Sequence, residues 1–434
     1  MHQRHANTRS WQLNTKPLQS VYEGLMHKPS LTSLTLRCPT RRIPRPATAI
    51  PPLPHLTTFV IYDIDPLCYP DNISLLMLTA KRLANLKMHW SPRMRDSGEE
   101  SVSLLQYFGR CLAAKHQIPL KRIAFYNLYT RNQDEGFENI SDPAMMEEMT
   151  IVNSMGSTDP MTVFLDNTWR MRSHHPVPHN LKMMRTDIMD VEHVGMLSRI
   201  QGLERLYLIN RPKASKNTST TATPITPSAT NVNTPATHSN GATSAQDSPD
   251  MEQQSKSLAS DYLAVIQSNH QTIRHLLLSP KWRLSPNAIH KLCESCPNLE
   301  QLGIASDIPP LEAMRAALAL VPKLWAMRSL VAPGSEVAEK MYSVDSDMHM
   351  FALATELWRP AYKSLKYFGI GDQVFKLGDV VFPPKGRSNV PEGQERTMNA
   401  KRAGPMRKIE VVERKSVEWI EIWGMDNPEF DVRF

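Results

Sequence analysis

One six-residue pattern constrains this chain more than any other feature. An apolar residue is followed by two variable residues, a second apolar residue, one variable residue and a third apolar residue. Good copies are set by Leu31/Leu34/Leu36, Leu56/Phe59/Ile61, Leu83/Leu86/Met88, Leu120/Ile123/Phe125, Leu203/Leu206/Leu208, Ile273/Leu276/Leu278, Leu299/Leu302/Ile304, Leu365/Phe368/Ile370 and Val417/Ile420/Ile422. Weaker copies start at Leu181 and Leu324. Such a pattern arises often by chance, but the spacing here is regular: Leu31 to Leu56 to Leu83, and Ile273 to Leu299 to Leu324, step by 25 to 27 residues. A period of roughly 20–29 residues is that of stacked strand-plus-helix units.

The last two apolar residues of each copy lie two apart, so on a strand both point to one face. Each unit then needs a helix to cover that face. Helical patterns fall between the strands, at residues 73–84, 102–115, 261–268, 285–296 and 310–320, and Ser285-Pro286 reads as an N-cap followed by a first-turn proline. A single unit cannot bury its own apolar side, so neighbours must stack. The expected fold is α/β, a leucine-rich-repeat solenoid with a curved parallel sheet on the concave face and helices and loops on the convex face.

The segment Ala-Ile-His-Lys-Leu-Cys-Glu-Ser-Cys-Pro-Asn-Leu-Glu-Gln-Leu-Gly-Ile at residues 288–304 resembles the cysteine-containing leucine-rich repeat. That repeat is typical of F-box proteins, the substrate-recognition subunits of cullin-type ubiquitin ligases. Irregular repeats with long low-complexity inserts are similar to those of fungal F-box/leucine-rich-repeat proteins. The resemblance implies a protein substrate held on the concave face, with a ligase adaptor and cullin as further partners where an F-box is present. No F-box is found ahead of the first repeat, so the module is either lost by truncation or never present. The alternative reading is a stand-alone leucine-rich-repeat scaffold with no ligase link.

Residues 1–24 read as a polar N-terminal segment, 25–211 as the first part of the repeats and 258–434 as the second. Between them, 212–257 is rich in Ser, Thr, Pro and Asn and nearly free of large apolar residues. It cannot bury enough surface to offset its ordering entropy, and a disordered insert is expected. It carries Thr223, Thr226, Thr234 and Ser248, each followed by proline, candidates for proline-directed phosphorylation. A basic flexible insert is expected at 383–408, with Lys401-Arg402 and Arg407-Lys408 as its charged pairs. The acidic stretch around 130–160 reads as an irregular insert between repeats.

Composition narrows the chemistry. Glycine is sparse, 17 against 34 prolines, which argues against glycine-rich phosphate loops. No nucleotide-binding, serine-hydrolase or zinc-protease motif occurs, so no enzyme activity, catalytic residue, cofactor or metal is expected. Cys293-x-x-Cys296 has no second ligand pair at zinc-site spacing and is read as structural. The histidines His174, His175 and His179, set among prolines, read as a constrained loop. A net charge of +7 over 434 residues is too modest to indicate nucleic acid. Five cysteines without a secretory signal point to a reducing compartment, cytoplasmic and/or nuclear, and no apolar run suggests a membrane.

The repeat also says which side chains turn outward. The residue before each inward position, and the one after the last, face the concave side. The partner-binding candidates on this rule are Tyr62, His89, Arg122, Tyr126, Arg205, Tyr207, Tyr367, Trp419 and Trp423. Aromatic residues and arginine carry much of the energy of protein interfaces.

Overall fold

The computed structural model describes residues 8–11, 18–28, 30–38, 50–64, 70–90, 102–129, 137–153, 177–209, 249–331, 346–382, 404–427 and 430–431. Within them the chain builds a mixed α/β fold around one open, mostly parallel sheet. Its strands are β1 (Thr8–Trp11), β2 (Ser33–Arg37), β3 (Thr58–Tyr62), β4 (Asn85–His89), β6 (Arg122–Tyr126), β8 (Glu148–Val152), β9 (Met183–Thr186), β10 (Arg205–Leu208), β11 (His275–Leu277), β13 (Gln301–Ser306), β14 (Ala326–Ser329) and β15 (Tyr367–Ile370), side by side in that order. A short β12 (Arg283–Leu284) pairs with β13, and β5 (Val102–Ser103) pairs with β7 (Leu128–Tyr129) apart from the main sheet. An antiparallel hairpin, β16 (Gln373–Val381) and β17 (Met406–Val412), follows β15 at the far edge.

The register explains why the pattern repeats. Ser33, Thr58, Asn85, Arg122, Glu148, Met183, Arg205, His275, Gln301, Ala326 and Tyr367 form one continuous row of neighbours. The row two residues further on runs Thr35, Val60, Lys87, Ala124, Thr150, Arg185, Tyr207, Leu277, Gly303, Arg328 and Gly369. Equivalent positions therefore sit side by side, and a slip by one residue would turn every apolar side chain to the wrong face.

Parallel strands laid down in sequence order need a crossover between each pair. Crossovers of one hand return on the same side of the sheet. Helices Pro70–Thr79, Leu104–Ala113, Val191–Leu197, Pro249–Ser268, Pro286–Ser295 and Pro310–Leu318 accordingly contribute to a single core with the inward strand residues Leu34, Phe59, Leu86, Ile123, Met149, Leu206, Leu276 and Leu302. The expected cap is present: Ser285 Oγ accepts from the Ala288 N–H, with Pro286 in the first turn. Helix Val191–Leu197 is capped by Asp190, which accepts from His193 N–H at 2.7 Å. Where strands end, Asp63 and Asn127 adopt positive φ, which Asp and Asn tolerate better than most side chains.

A second core lies on the opposite side of the sheet. It joins Ala124, Tyr126, Val152, Met183, Tyr207, Leu277 and Ala326 to Val417, Ile420, Ile422 and Trp423 from the end of the chain.

Four expectations are corrected. Val417/Ile420/Ile422 is not a ninth strand: residues Arg414–Val417 form a 3-10 turn and Glu421–Gly424 a short helix, and their apolar side chains bury against the sheet face. The acidic stretch is no irregular insert throughout, since Glu148–Val152 is a central strand built on Met149 and Ile151. The N-terminal segment supplies β1, paired in parallel with β2. The ends of both inserts are ordered: helix Pro249–Ser268 starts before residue 258, and β17 starts at Met406. Within β17, Arg407 is buried and donates to the carbonyls of Tyr362, Leu365 and Gly378 at 2.6, 2.7 and 2.9 Å. It is thus part of the packing and no free basic tail.

Candidate binding face

On the side away from the crossover helices, seven of the nine candidates chosen from sequence share one surface: Tyr62, His89, Arg122, Tyr126, Arg205, Tyr207 and Tyr367 all occupy outward positions of the parallel strands. Trp419 and Trp423 do not belong to a strand. They sit on the C-terminal segment that lies over this surface. The described residues 417–427 and 430 meet the strands in reverse order, from β15 back toward β3, as a strap.

Each strap contact is specific. Trp419 stacks on Trp325 at 5.8 Å and 12° and meets the Tyr367 ring edge-on. Trp423 is buried over Gly369, where any Cβ would come within 2.7 Å of its ring, so only glycine admits the indole. Glu421 reaches between three side chains: its carboxylate accepts from the Tyr207 hydroxyl, meets His275 Nδ1 at 2.5 Å and pairs with Arg205 at 3.3 Å. Arg205 also holds Glu148 at 2.7 Å. Gln301 Oε1 accepts from the Ile422 N–H at 3.2 Å.

Beyond the short helix, two buried arginines grip the strap. Arg328 donates to Asp426 at 2.6 Å and to the Ile422 carbonyl at 3.2 Å. Arg185 donates to the Met425 carbonyl at 2.9 Å, to the Asn427 carbonyl and to the Tyr126 hydroxyl at 2.7 Å. Phe430 then stacks against His89 at 4.5 Å and Tyr62 at 5.4 Å, meets Tyr126 edge-on, and lies under Lys87 Nζ at 5.1 Å. A cation over an aromatic face is attracted by the ring quadrupole.

Electrostatics follow from this enclosure. Burial alone would raise the Glu421 pKa, but hydrogen bonds from His275 and Tyr207 and the Arg205 charge hold it down at about 2. Burial, with Glu421 beside it, pushes the Tyr207 phenol well above its ordinary range. Charge-assisted hydrogen bonds of this kind are the strong ones.

No protein-family model matches this chain, and no curated protein matches it. The site is therefore read from its own geometry.

Sequence reasoning missed Arg185, Arg328, Gln301 and Glu148. The outward rule applied to the weak copies at Leu181 and Leu324 points to Arg185 and Arg328 directly. The weakness lies at the third apolar position, which holds Thr186 and Ser329, both buried polar residues. Glu148 belongs to the unrecognised copy Met146/Met149/Ile151. Arg122 is placed on the face but bonds sideways, to Asn85 at 2.8 Å.

The four described cysteines are buried, and Cys111, Cys293 and Cys296 are thiols outside any disulfide. Burial pushes the Cys293 thiol up to about 12 and Cys296 up to about 11, so both are protonated at neutral pH and packed at the end of a helix. Among the described residues no group of His, Cys, Asp and Glu is arranged to hold a metal, and no helix is long and apolar enough to cross a membrane. The phosphorylation candidates Thr223, Thr226, Thr234 and Ser248 lie outside the described residues, as do His174, His175, Lys401 and Arg402.

Proposed function

We propose that the chain is a leucine-rich-repeat solenoid whose concave strand face binds a protein, and that it recruits that protein as a substrate for a cullin-type ubiquitin ligase. One observation carries the binding half of this reading. Strand positions on the helix side are filled almost throughout by apolar residues, whereas the same strands present an individual Arg, Tyr, His, Gln or Lys to the other side. Stacking needs no such variety; recognition does. The ligase half rests on the resemblance of residues 288–304 to the cysteine-containing repeat of F-box proteins.

Affinity capture of the full-length native product, followed by identification of co-purifying proteins, tests both halves. A ligase subunit brings down cullin, adaptor and a substrate together. Substrate without cullin and adaptor would replace this reading with the stand-alone scaffold, which uses the same face.

A further inference from the structure

The strap shows what chemistry the strand face accepts. Two of its carboxylates, two indoles and a phenyl ring meet the face at separate places, the buried indole over the bare backbone of Gly369. Glu421 sits on Arg205, Tyr207 and His275. Asp426 sits on Arg328, with Arg414 of the strap's own base donating to its carbonyl at 3.1 Å. On the strap, Arg185 donates to the backbone carbonyls of Met425 and Asn427, contacts that place a chain without specifying its sequence. Phe430 fills a slot made by Tyr62, His89 and Lys87.

The strap also crosses the strands and adds none to the sheet. Its hold is a set of discrete side-chain anchors, each of which another peptide can supply. Lifting it would leave Arg205 with Glu148 but take the carboxylate partner from Arg328 and the two carbonyl acceptors from Arg185. The uncovered face would then be cationic and aromatic, which selects an anionic segment and disfavours a basic one.

We infer that the face recognises a linear, acidic and aromatic peptide segment of its partner, and that the chain's own C-terminal segment occupies that site by imitation. This rests on the strand face being the partner-binding surface. Because the strap is tethered, it competes at an effective concentration on the order of millimolar. A partner must therefore match its anchors or arrive after the strap is loosened.

The test uses full-length chain, wild-type and with Glu421→Arg plus Asp426→Arg, which sets the strap against Arg205 and Arg328. The probes are fluorescent synthetic peptides. One has the sequence of residues 417–431; a second keeps the residues matching Glu421, Trp423, Asp426 and Phe430 at their spacing in an unrelated background; a third is the first with both anchoring carboxylates replaced by amides. The charge-reversed chain should bind the first two at least about tenfold more tightly than wild type, and the third about tenfold to a hundredfold more weakly than the first.

Equal affinity for the acidic and amidated peptides would overturn the inference while leaving the face a peptide-binding surface. Binding of the first peptide and not the second would overturn it in favour of strap exchange between copies of this chain. If no peptide binds the folded variant, both the inference and the proposed binding role fail. Should the variant not fold, hydrogen exchange in the wild-type chain decides. Saturating second peptide should speed exchange at the amides of Ile422, Trp423 and Gly424, and unchanged exchange there would count against displacement.

Discussion

The two faces of the sheet are built from alternate residues of the same strands, yet they obey different rules. Toward the helices, Leu34, Phe59, Leu86, Leu206, Leu276 and Leu302 merge into one apolar core. Toward the strap, neighbours in register differ at almost every step: Arg185, Tyr207, Leu277, Gly303, Arg328, Gly369. The first face is held by area and the second by particular pairs. Area is proportional and forgiving; pairs of charges and hydrogen bonds leave an unsatisfied group when one member goes.

The helix side should lose the most stability on a single substitution. Phe59 is fully buried in the large core. Phe59→Ala should cost about 3–5 kcal/mol, from lost transfer energy and the cavity left behind. Urea titration followed by far-UV circular dichroism would measure it, and a loss under about 1 kcal/mol would mean that the helices do not pack on β3. By contrast, Arg328→Met should cost about 3 kcal/mol by leaving Asp426 to its longer pair with Arg414 at 3.8 Å and by taking the Arg328 donor from the Ile422 carbonyl. Its first symptom should be release of the strap. Hydrogen exchange should rise at residues 420–427 and stay slow in the strands, whereas exchange rising uniformly would show that the faces do not separate.

Acid should also distinguish the faces, because each holds a shifted group that titrates below neutrality. Burial takes His193, which shares a 2.6 Å hydrogen bond with Tyr262 under the helices, from 6.5 to about 4. The fold favours its neutral form, so the contribution is complete above pH 6.5 and disappears as pH falls through about 4. It amounts to about 3 kcal/mol. Glu421 is depressed from 4.5 to about 2. The fold favours its charged form, so the contribution is complete above pH 4.5 and is lost toward pH 2. With its side chain 25% exposed, solvent screening leaves about 2 kcal/mol. His193→Gln should flatten stability between pH 6.5 and 4, and Glu421→Gln between 4.5 and 2. If either substitution leaves its own window unchanged, the group in question is not the one that titrates.

The same contrast explains how much was legible in the sequence. The parallel sheet, its helices and most outward positions follow from a pattern in which each unit repeats its neighbour, and a repeated signal survives local noise. Strand β8 escaped because methionines stand at Met146 and Met149 within an acidic run. The run at Val417, Ile420 and Ile422 misled because apolar residues three apart suit a helical turn as well as a strand entry. Only the fold decides between them, by giving Ile420 and Trp423 a surface to bury against. Trp419 and Trp423, read as strand residues, instead lie on the segment that covers the strands. The strap could not be read at all: Arg185 and Met425 are 240 residues apart, and no local pattern encodes a contact of that span. Tyr126 lies on the outward row, and the cover that Phe430 and Arg185 give it could not be read for the same reason.

The smallest effect tests where the strap is merely laid down and where it is anchored. Trp419 is 64% exposed although it stacks on Trp325. An aromatic pair adds about 0.5–1.5 kcal/mol beyond its buried area, and little area is buried here. Trp419→Ala should therefore lower global stability by about 1 kcal/mol or less, as urea titration would measure, and leave residues 421–427 protected from exchange. Trp423, three residues past the Ile420 anchor and buried over Gly369, should behave in the opposite way. If Trp419→Ala released the strap as Arg328→Met does, the strap would be one cooperative unit held by stacking. If it does not, anchoring belongs to the charged and buried contacts from Ile420 onward, and the exposed indole remains available to a partner that arrives at the edge of the strap.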